Sequence, residues 1–296
     1  MFTSTSIARS LKKKQFQDIQ LELMRNFFSS FSNLTPGLAS KYAFKKFITP
    51  RKLSSTPFSK DLLKQAAEFY LPYEGRRLKV YSWGFHGPKI LLVHGWESKA
   101  STFRNMIPAL LDAGFSVISF DAPAHGLSGG KTLTMPRYAE AIKQVCDYHN
   151  DHGGIEYILG HSFGGLTSAY TLSKYELSVK KLVLVSMPTN VYRIIGEFCG
   201  FLGFNQKVVS KMVSKVETIT QSDIQSFGID RIKDQVKAHS ILAIHDTQDH
   251  QVSYSHMEEM IASWHKPKYI TTSSLGHNKT IKDPEIIGRI SNFLTD

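Results

Sequence analysis

Gly160-His161-Ser162-Phe163-Gly164 follows the short apolar run Tyr157-Ile158-Leu159 and precedes a helix-like stretch. A serine hydroxyl attacks a carbonyl carbon only when a neighbouring base takes its proton and its own backbone leaves it accessible. The G-x-S-x-G form meets the second need. At a tight strand-to-helix turn, Gly160 and Gly164 carry no side chain to collide, which leaves the Ser162 hydroxyl exposed. The N–H groups that open the following helix then point toward negative charge developing on a substrate oxygen. Alone, the motif is only moderately specific, so the elements around it decide its meaning.

Those elements alternate. Strand candidates at 76–83, 90–93, 117–120, 157–159 and 182–185 are rich in β-branched or aromatic residues, with helix-like stretches at 102–112, 136–148 and 163–174 between them. After a pause over about 189–238, a strand at 241–244, a helix near 256–264, a strand at 269–272 and a helix at 284–294 resume the pattern. The alternation predicts an α/β fold: a mainly parallel twisted sheet with helices on both faces. The pause is too long for an ordinary loop. Its first half is crowded with Ile194, Ile195, Phe198, Phe201, Leu202 and Phe204, which predicts an inserted helical cap.

An open α/β sheet places its site at the carboxyl ends of its strands. Four further stretches fall there: Leu91-Leu92-Val93-His94-Gly95-Trp96, Asp121-Ala122-Pro123-Ala124-His125-Gly126-Leu127-Ser128, His245-Asp246-Thr247-Gln248-Asp249-His250-Gln251-Val252, and Gly276-His277. In this order, with Gly160–Gly164 among them, they resemble the α/β-hydrolase superfamily of esterase- or lipase-like type, from about residue 76 to the C-terminus. The resemblance implies a triad in the order nucleophile, acid, histidine. Ser162 stands at the nucleophile position, Asp249 matches the acid of H-x-x-x-D-x-x-V, and His277 lies in the late Gly-His step. His277 would take the Ser162 proton, and Asp249 would fix the imidazole tautomer and stabilise its charged form. The resemblance also implies an oxyanion hole from the backbone N–H groups of Trp96 and Phe163.

Asp246 is the rival acid; the valine three residues beyond Asp249 favours Asp249 and leaves Asp246 as a turn residue. His94, His125 and His161 are expected to shape turns or support the site, and Asp121 to tie down its loop. A serine at the elbow excludes the epoxide-opening and halide-displacing relatives, which use a carboxylate there. The expected reaction is hydrolysis of a small-molecule carboxylic ester through an acyl-enzyme on Ser162. An apolar acyl group is expected if Phe198, Phe201, Leu202 and Phe204 line a substrate pocket, although packing of cap helices needs the same residues. Thioesterase and acyltransferase activity are the alternatives within the class. Outside it stands a non-catalytic, membrane-associated or partner-binding protein that keeps the fold.

The composition, 42% hydrophobic and 21% charged, is globular. No run approaches the roughly 18 apolar residues of a spanning helix, and the first residues lack the apolar stretch of a secretory signal. Cys146 and Cys199 are too few for a disulfide framework or cysteine cluster, so a reducing, cytoplasmic setting is expected. His245, His250 and His256 have no metal-ligand spacing, and neither G-x-G-x-x-G after the first strand nor a P-loop is present; no metal and no cofactor are expected.

The net charge of +11 is local: residues 1–60 hold eleven Lys and Arg against Asp18 and Glu22, and the remaining residues are nearly neutral. No nucleic-acid motif accompanies the excess, so nucleic-acid binding is not expected. The charge belongs to a basic helical extension, placed at 1–72 ahead of a hydrolase domain at 73–296. Phe16, Ile19, Leu23, Phe27, Phe31 and Leu34 recur at three- and four-residue steps near Lys12, Lys13, Lys14 and Arg25. After Thr35-Pro36, a second helix would carry Leu38, Tyr42 and Phe47 and stop before Pro50. Three readings fit the extension: an arm packed on the hydrolase body, a helix of residues 1–35 lying peripherally on anionic membrane, or a targeting peptide.

Overall fold

The computed structural model describes residues 4–52, 57–151 and 153–296, with side chains from 18 onward apart from 57–60. The chain divides into two compact units: 1–47 with 192–224, and 48–191 with 225–296.

The larger unit is built on an eight-stranded sheet: β1 (Ala67–Tyr73), β2 (Arg76–Trp83), β3 (Lys89–Val93), β4 (Ser116–Phe120), β5 (Tyr157–His161), β6 (Val179–Val185), β7 (Ala238–Asp246) and β8 (Lys268–Thr272). Their order is β1-β2-β4-β3-β5-β6-β7-β8, with β1–β2 and β2–β4 antiparallel and every other pair parallel. Parallel strands covered on both faces have no solvent side, which is why β4 and β5 are buried at every residue. One face packs Ile90, Leu92, Leu159, Val183 and Val185 against Phe103, Met106, Ile107 and the Ile286–Ile290 stretch of the last helix.

All of strand β1 but Tyr73 lies within the stretch assigned above to the N-terminal extension. It is an edge strand with only Leu71 and Tyr73 buried, and Pro72 is tolerable there because an edge needs fewer ladder donors. Glu74 and Gly75, both at positive φ, form the two-residue turn into β2, the conformation a tight hairpin requires.

The smaller unit contains α1 (Ser4–Leu34), α2 (Pro36–Ile48), α7 (Val191–Leu202) and α8 (Gln206–Thr220); α3 (Pro57–Lys64), α4 (Met106–Asp112), α5 (Met135–Asn150) and α6 (Phe163–Lys174) lie between them in the chain and belong to the larger unit. The first two helices therefore pack with the inserted ones. Phe28 of α1 sits 4.6 Å from Phe204 and 5.5 Å from Tyr42, and Phe47 of α2 meets Phe198 at 5.3 Å. Asn205 donates to the Asn33 side chain at 2.8 Å. Gly203 is required where α7 ends: its φ is +86°, and a Cβ there would lie 2.5 Å from the Arg25 carbonyl oxygen.

The buried faces of α1 and α2 are not the periodic apolar ones. On α1, Phe28 and Ser32 are buried, whereas Ile19, Leu23, Phe27 and Leu34 are exposed. On α2 the buried residues are Ala39, Ser40, Ala43 and Phe44, and Leu38 and Tyr42 face solvent. The expected roles of Phe16 and Lys12–Lys14 fall outside the described side chains. Of the stretch 189–238, residues 192–224 with α7 and α8 fall in the smaller unit, and 225–238, including α9 (Ile229–Ile232), in the larger. Three helices complete that unit, α10 (Ser255–Ser263), α11 (Gly276–Lys279) and α12 (Pro284–Thr295).

Candidate active site

At the junction of β5 and α6, Ser162 adopts φ 56° and ψ −130°, a conformation costly for any residue with a side chain. Three glycines make the turn possible. A Cβ on Gly160 would lie 2.5 Å from Gly165 Cα, one on Gly164 would lie 2.3 Å from the His94 carbonyl oxygen, and one on Gly95 would lie 2.8 Å from Ser162 Cβ. The two glycines of the motif therefore do what their spacing predicts, and Gly95, from the end of β3, clears the space beside the hydroxyl. The Ser162 backbone N–H donates to Val185 at 2.8 Å, which anchors the turn to β6.

Asp249 follows β7. One of its carboxylate oxygens accepts from the backbone N–H groups of Gln251 and Val252 at 2.8 and 2.9 Å, and the other bonds His277 Nδ1 at 2.7 Å. Burial acts to raise its pKa, but hydrogen bonding from His245, His277 and Val252 outweighs this and holds the carboxyl well below the usual range. Asp249 is thus an acceptor only, so His277 carries its proton on Nδ1 and leaves Nε2 as the basic nitrogen. The elbow and the histidine are tied through His161. Its ring lies 4.7 Å from that of His277, and its Nε2–H donates to the His277 carbonyl at 3.1 Å. Ser162, Asp249 and His277 all lie beyond carboxyl ends of strands of one sheet.

The other carboxylates and histidines of these loops hold backbone. Asp246 accepts from Gln248 N, Thr272 Oγ1 and Leu275 N, the turn role expected of it. Asp121 accepts from Ala100 N and Leu127 N, each at 2.9 Å. His94 donates from Nδ1 to Gly95 and accepts from Ala122 N at 3.0 Å; His125 donates from Nδ1 to Pro123 and accepts from Glu97 N at 3.0 Å. Burial pushes both imidazoles down to about 4, so they stay neutral in these bonds. Trp96 and Phe163, whose backbone N–H groups are the expected oxyanion donors, bring their rings edge to face at 6.1 Å. Phe163 is the first residue of α6, where an N–H has no acceptor within the helix.

Of the four expected pocket residues, Phe204 is buried on Phe28 and Phe198 packs on Phe47, while Phe201 is 63% exposed and Leu202 is half-buried. Helix packing occupies Phe204 and Phe198. Sequence reasoning used His245 only as the first residue of H-x-x-x-D-x-x-V and gave it no role of its own. Its Nε2–H donates to the Val252 carbonyl at 2.9 Å and lies 3.5 Å from the same Asp249 oxygen that bonds His277. The four-residue step from His245 to Asp249 was the available signal. Among the described residues no cluster of His, Cys, Asp and Glu is placed to hold a metal ion, and Cys146 and Cys199 are buried free thiols.

A mainly parallel eight-stranded sheet with a strained serine at a strand-to-helix turn, and an acid–histidine pair on later loops, is the architecture of an α/β-hydrolase. The family model for the alpha/beta hydrolase fold matches residues 88–196. A human serine hydrolase-like protein is 33% identical over 127 residues, covering 41% of this chain and 61% of that protein. A zebrafish (Danio rerio) serine hydrolase-like protein is 29% identical over 156 residues, covering 48% and 46%. The chain thus spans about half the length of the curated relatives it matches. In fold, an esterase from Pyrococcus furiosus superposes with a TM-score of 0.65 at 21% identity, over 84% of this chain and 96% of that one. The chain is thus similar to α/β-hydrolases over residues 88–196 and shares their fold.

Proposed function

We propose that the chain is a serine esterase that cleaves carboxylic esters through an acyl-enzyme on Ser162. The observation that carries this reading is the 2.7 Å bond from His277 Nδ1 to the buried Asp249 carboxylate, with the His277 ring 4.7 Å from that of His161, the residue just before Ser162 at its positive φ. In the proposed cycle, His277 Nε2 removes the Ser162 proton as Oγ attacks the ester carbonyl. The backbone N–H groups of Phe163 and Trp96 receive the oxyanion, which in such sites is worth about 10²–10³ in turnover per donor. The imidazolium formed, stabilised by Asp249, protonates the departing alcohol. The neutral imidazole then takes a proton from water as that water attacks the acyl-enzyme, and returns it to Ser162 Oγ as the acid departs.

The names of the relatives support the same class, serine hydrolase-like for the human and zebrafish proteins and esterase for the Pyrococcus one. An apolar acyl group is part of the proposal; nitrophenyl esters of increasing chain length test it, and equal turnover of polar acids would remove it. A fluorophosphonate probe tests the whole reading: the chain is labelled, and Ser162→Ala abolishes labelling. A folded chain that stays unlabelled and turns over no ester or thioester is a binding protein.

A further inference from the structure

The smaller unit turns its apolar stripe outward. Ile19, Leu23 and Phe27 follow one another at four-residue steps on α1, and Leu34 falls seven residues later on the same face. Their exposures are 49%, 64%, 63% and 82%. From Ile19 to Leu34 the stripe runs about 22 Å at 1.5 Å per residue. Leu38, 58% exposed, continues the exposed apolar surface on α2, with Lys41 and Lys45 exposed at three- and seven-residue steps beyond it. Phe28 and Ser32 already make α1's contacts within its own unit, so packing there does not account for the stripe.

Two independent features name the occupant. A single-file apolar ridge on a helix suits the boundary between acyl chains and headgroups, where length and curvature need not match a folded partner. The charge supplies the second: eleven basic residues against two acids within the first sixty, in a chain otherwise nearly neutral. An anionic leaflet attracts such a segment, and an apolar stripe within a segment of excess positive charge gives the paired signals that reversible membrane attachment needs. No helix among the described residues is long and apolar enough to cross a membrane, so the geometry is in-plane. We propose that α1 and the start of α2 form an interfacial docking surface for anionic lipid bilayers.

The test is cosedimentation of the full chain with vesicles of phosphatidylcholine alone or mixed with phosphatidylserine, at low and high salt. The chain should pellet with the mixed vesicles at low salt, and much less with neutral ones or at high salt. Leu23→Asp with Phe27→Asp should lower partitioning about tenfold or more, since each residue buries a large apolar side chain. Lys41→Glu with Lys45→Glu should weaken binding to mixed vesicles only. All these residues are exposed and remote in sequence from the proposed triad, so circular dichroism and fluorophosphonate labelling should match the parent chain. Absence of binding to mixed vesicles overturns the proposal, as does unchanged binding by the Leu23/Phe27 variant. So does a self-associated species in velocity sedimentation that the same variant dissolves, which would make the stripe an interface between copies. Labelling is scored separately, so failure on vesicles leaves the hydrolase reading standing, and the reverse also holds.

Discussion

The loops beyond β3 and β4 and those beyond β5, β6 and β7 are both rich in buried polar groups, but they are bonded differently. In the first set each ring nitrogen of His94 and His125 has a backbone partner, and both oxygens of Asp121 accept N–H groups. In the second, His161 Nδ1, Ser186 Oγ and His245 Nδ1 are buried without a hydrogen-bond partner. A buried polar atom left unbonded costs about 1–3 kcal/mol, so three of them at the ends of adjacent strands need a reason. A completely bonded set holds one geometry; an incomplete one keeps donors and acceptors that can respond as charge moves during turnover. On the proposed function, the contrast fits a holding role for the first set and a reacting role for the second.

The sharpest way to break that assignment is at the second set. Ser162→Ala should reduce ester turnover by about 10⁶-fold while leaving the midpoint of urea unfolding within experimental scatter, because alanine keeps the Cβ and the same backbone conformation. A smaller but still large effect, about 10⁴-fold on kcat, is expected for Asp249→Asn. The amide can donate to His277 Nδ1 and so stabilise the wrong tautomer. Steady-state kinetics on a short nitrophenyl ester reads both. Retention of more than a tenth of the activity by either variant would reassign the triad.

The strand ends and their loops were more legible than the helix packing. Ser162, Asp249 and His277 stand in local motifs at strand ends, and the strands announce themselves by being apolar on both faces. Asp246 and Asp121 were separable from Asp249 for the same reason, since short-range turn geometry fixes their partners. Strand β1 was missed because an edge strand carrying Pro72 and exposed Glu68 lacks that double-sided pattern. The periodicity of α1 gave the helix but not its buried face, because a stripe looks alike whether it faces a core or solvent. That Phe28 would meet Phe204 depends on contacts far apart in the chain, which no local spacing encodes. His245 was legible in position and silent in role, since its bond to Val252 appears only once the loop closes.

Acid should expose the first set. His94 and His125 are held neutral, with pKa values near 4 against 6.5 in the unfolded chain. Between those values the unfolded state binds more protons than the folded one, so stability is present above about pH 6.5 and is lost as pH falls toward 4. For a fully buried imidazole such as His94 the loss amounts to roughly 3 kcal/mol over that window. His161, lowered to about 3 by burial and by the adjacent His277, adds to the slope. Urea unfolding at pH 7 and pH 4.5 measures it. His94→Gln should lower stability at pH 7, where two backbone bonds are disturbed, yet flatten the dependence on pH. An unchanged slope would mean that His94 is not the group being titrated.

The smallest expected effect tests where the two sets meet. His245 contacts no reacting atom in the proposed cycle; it acts on Asp249, holding the Val252 carbonyl and keeping an N–H 3.5 Å from the carboxylate oxygen that His277 uses. Removing it with His245→Leu should lower kcat about tenfold, the value of one modest hydrogen bond expressed in the transition state, while KM stays constant. His245→Gln can return an amide N–H near the position of Nε2, and should recover most of that loss. A purely structural role predicts otherwise: both variants would lower the unfolding midpoint together, and kcat per folded molecule would not change. A rise in KM with either variant would instead place His245 against the substrate, and the division between holding and reacting loops would have to be redrawn through β7.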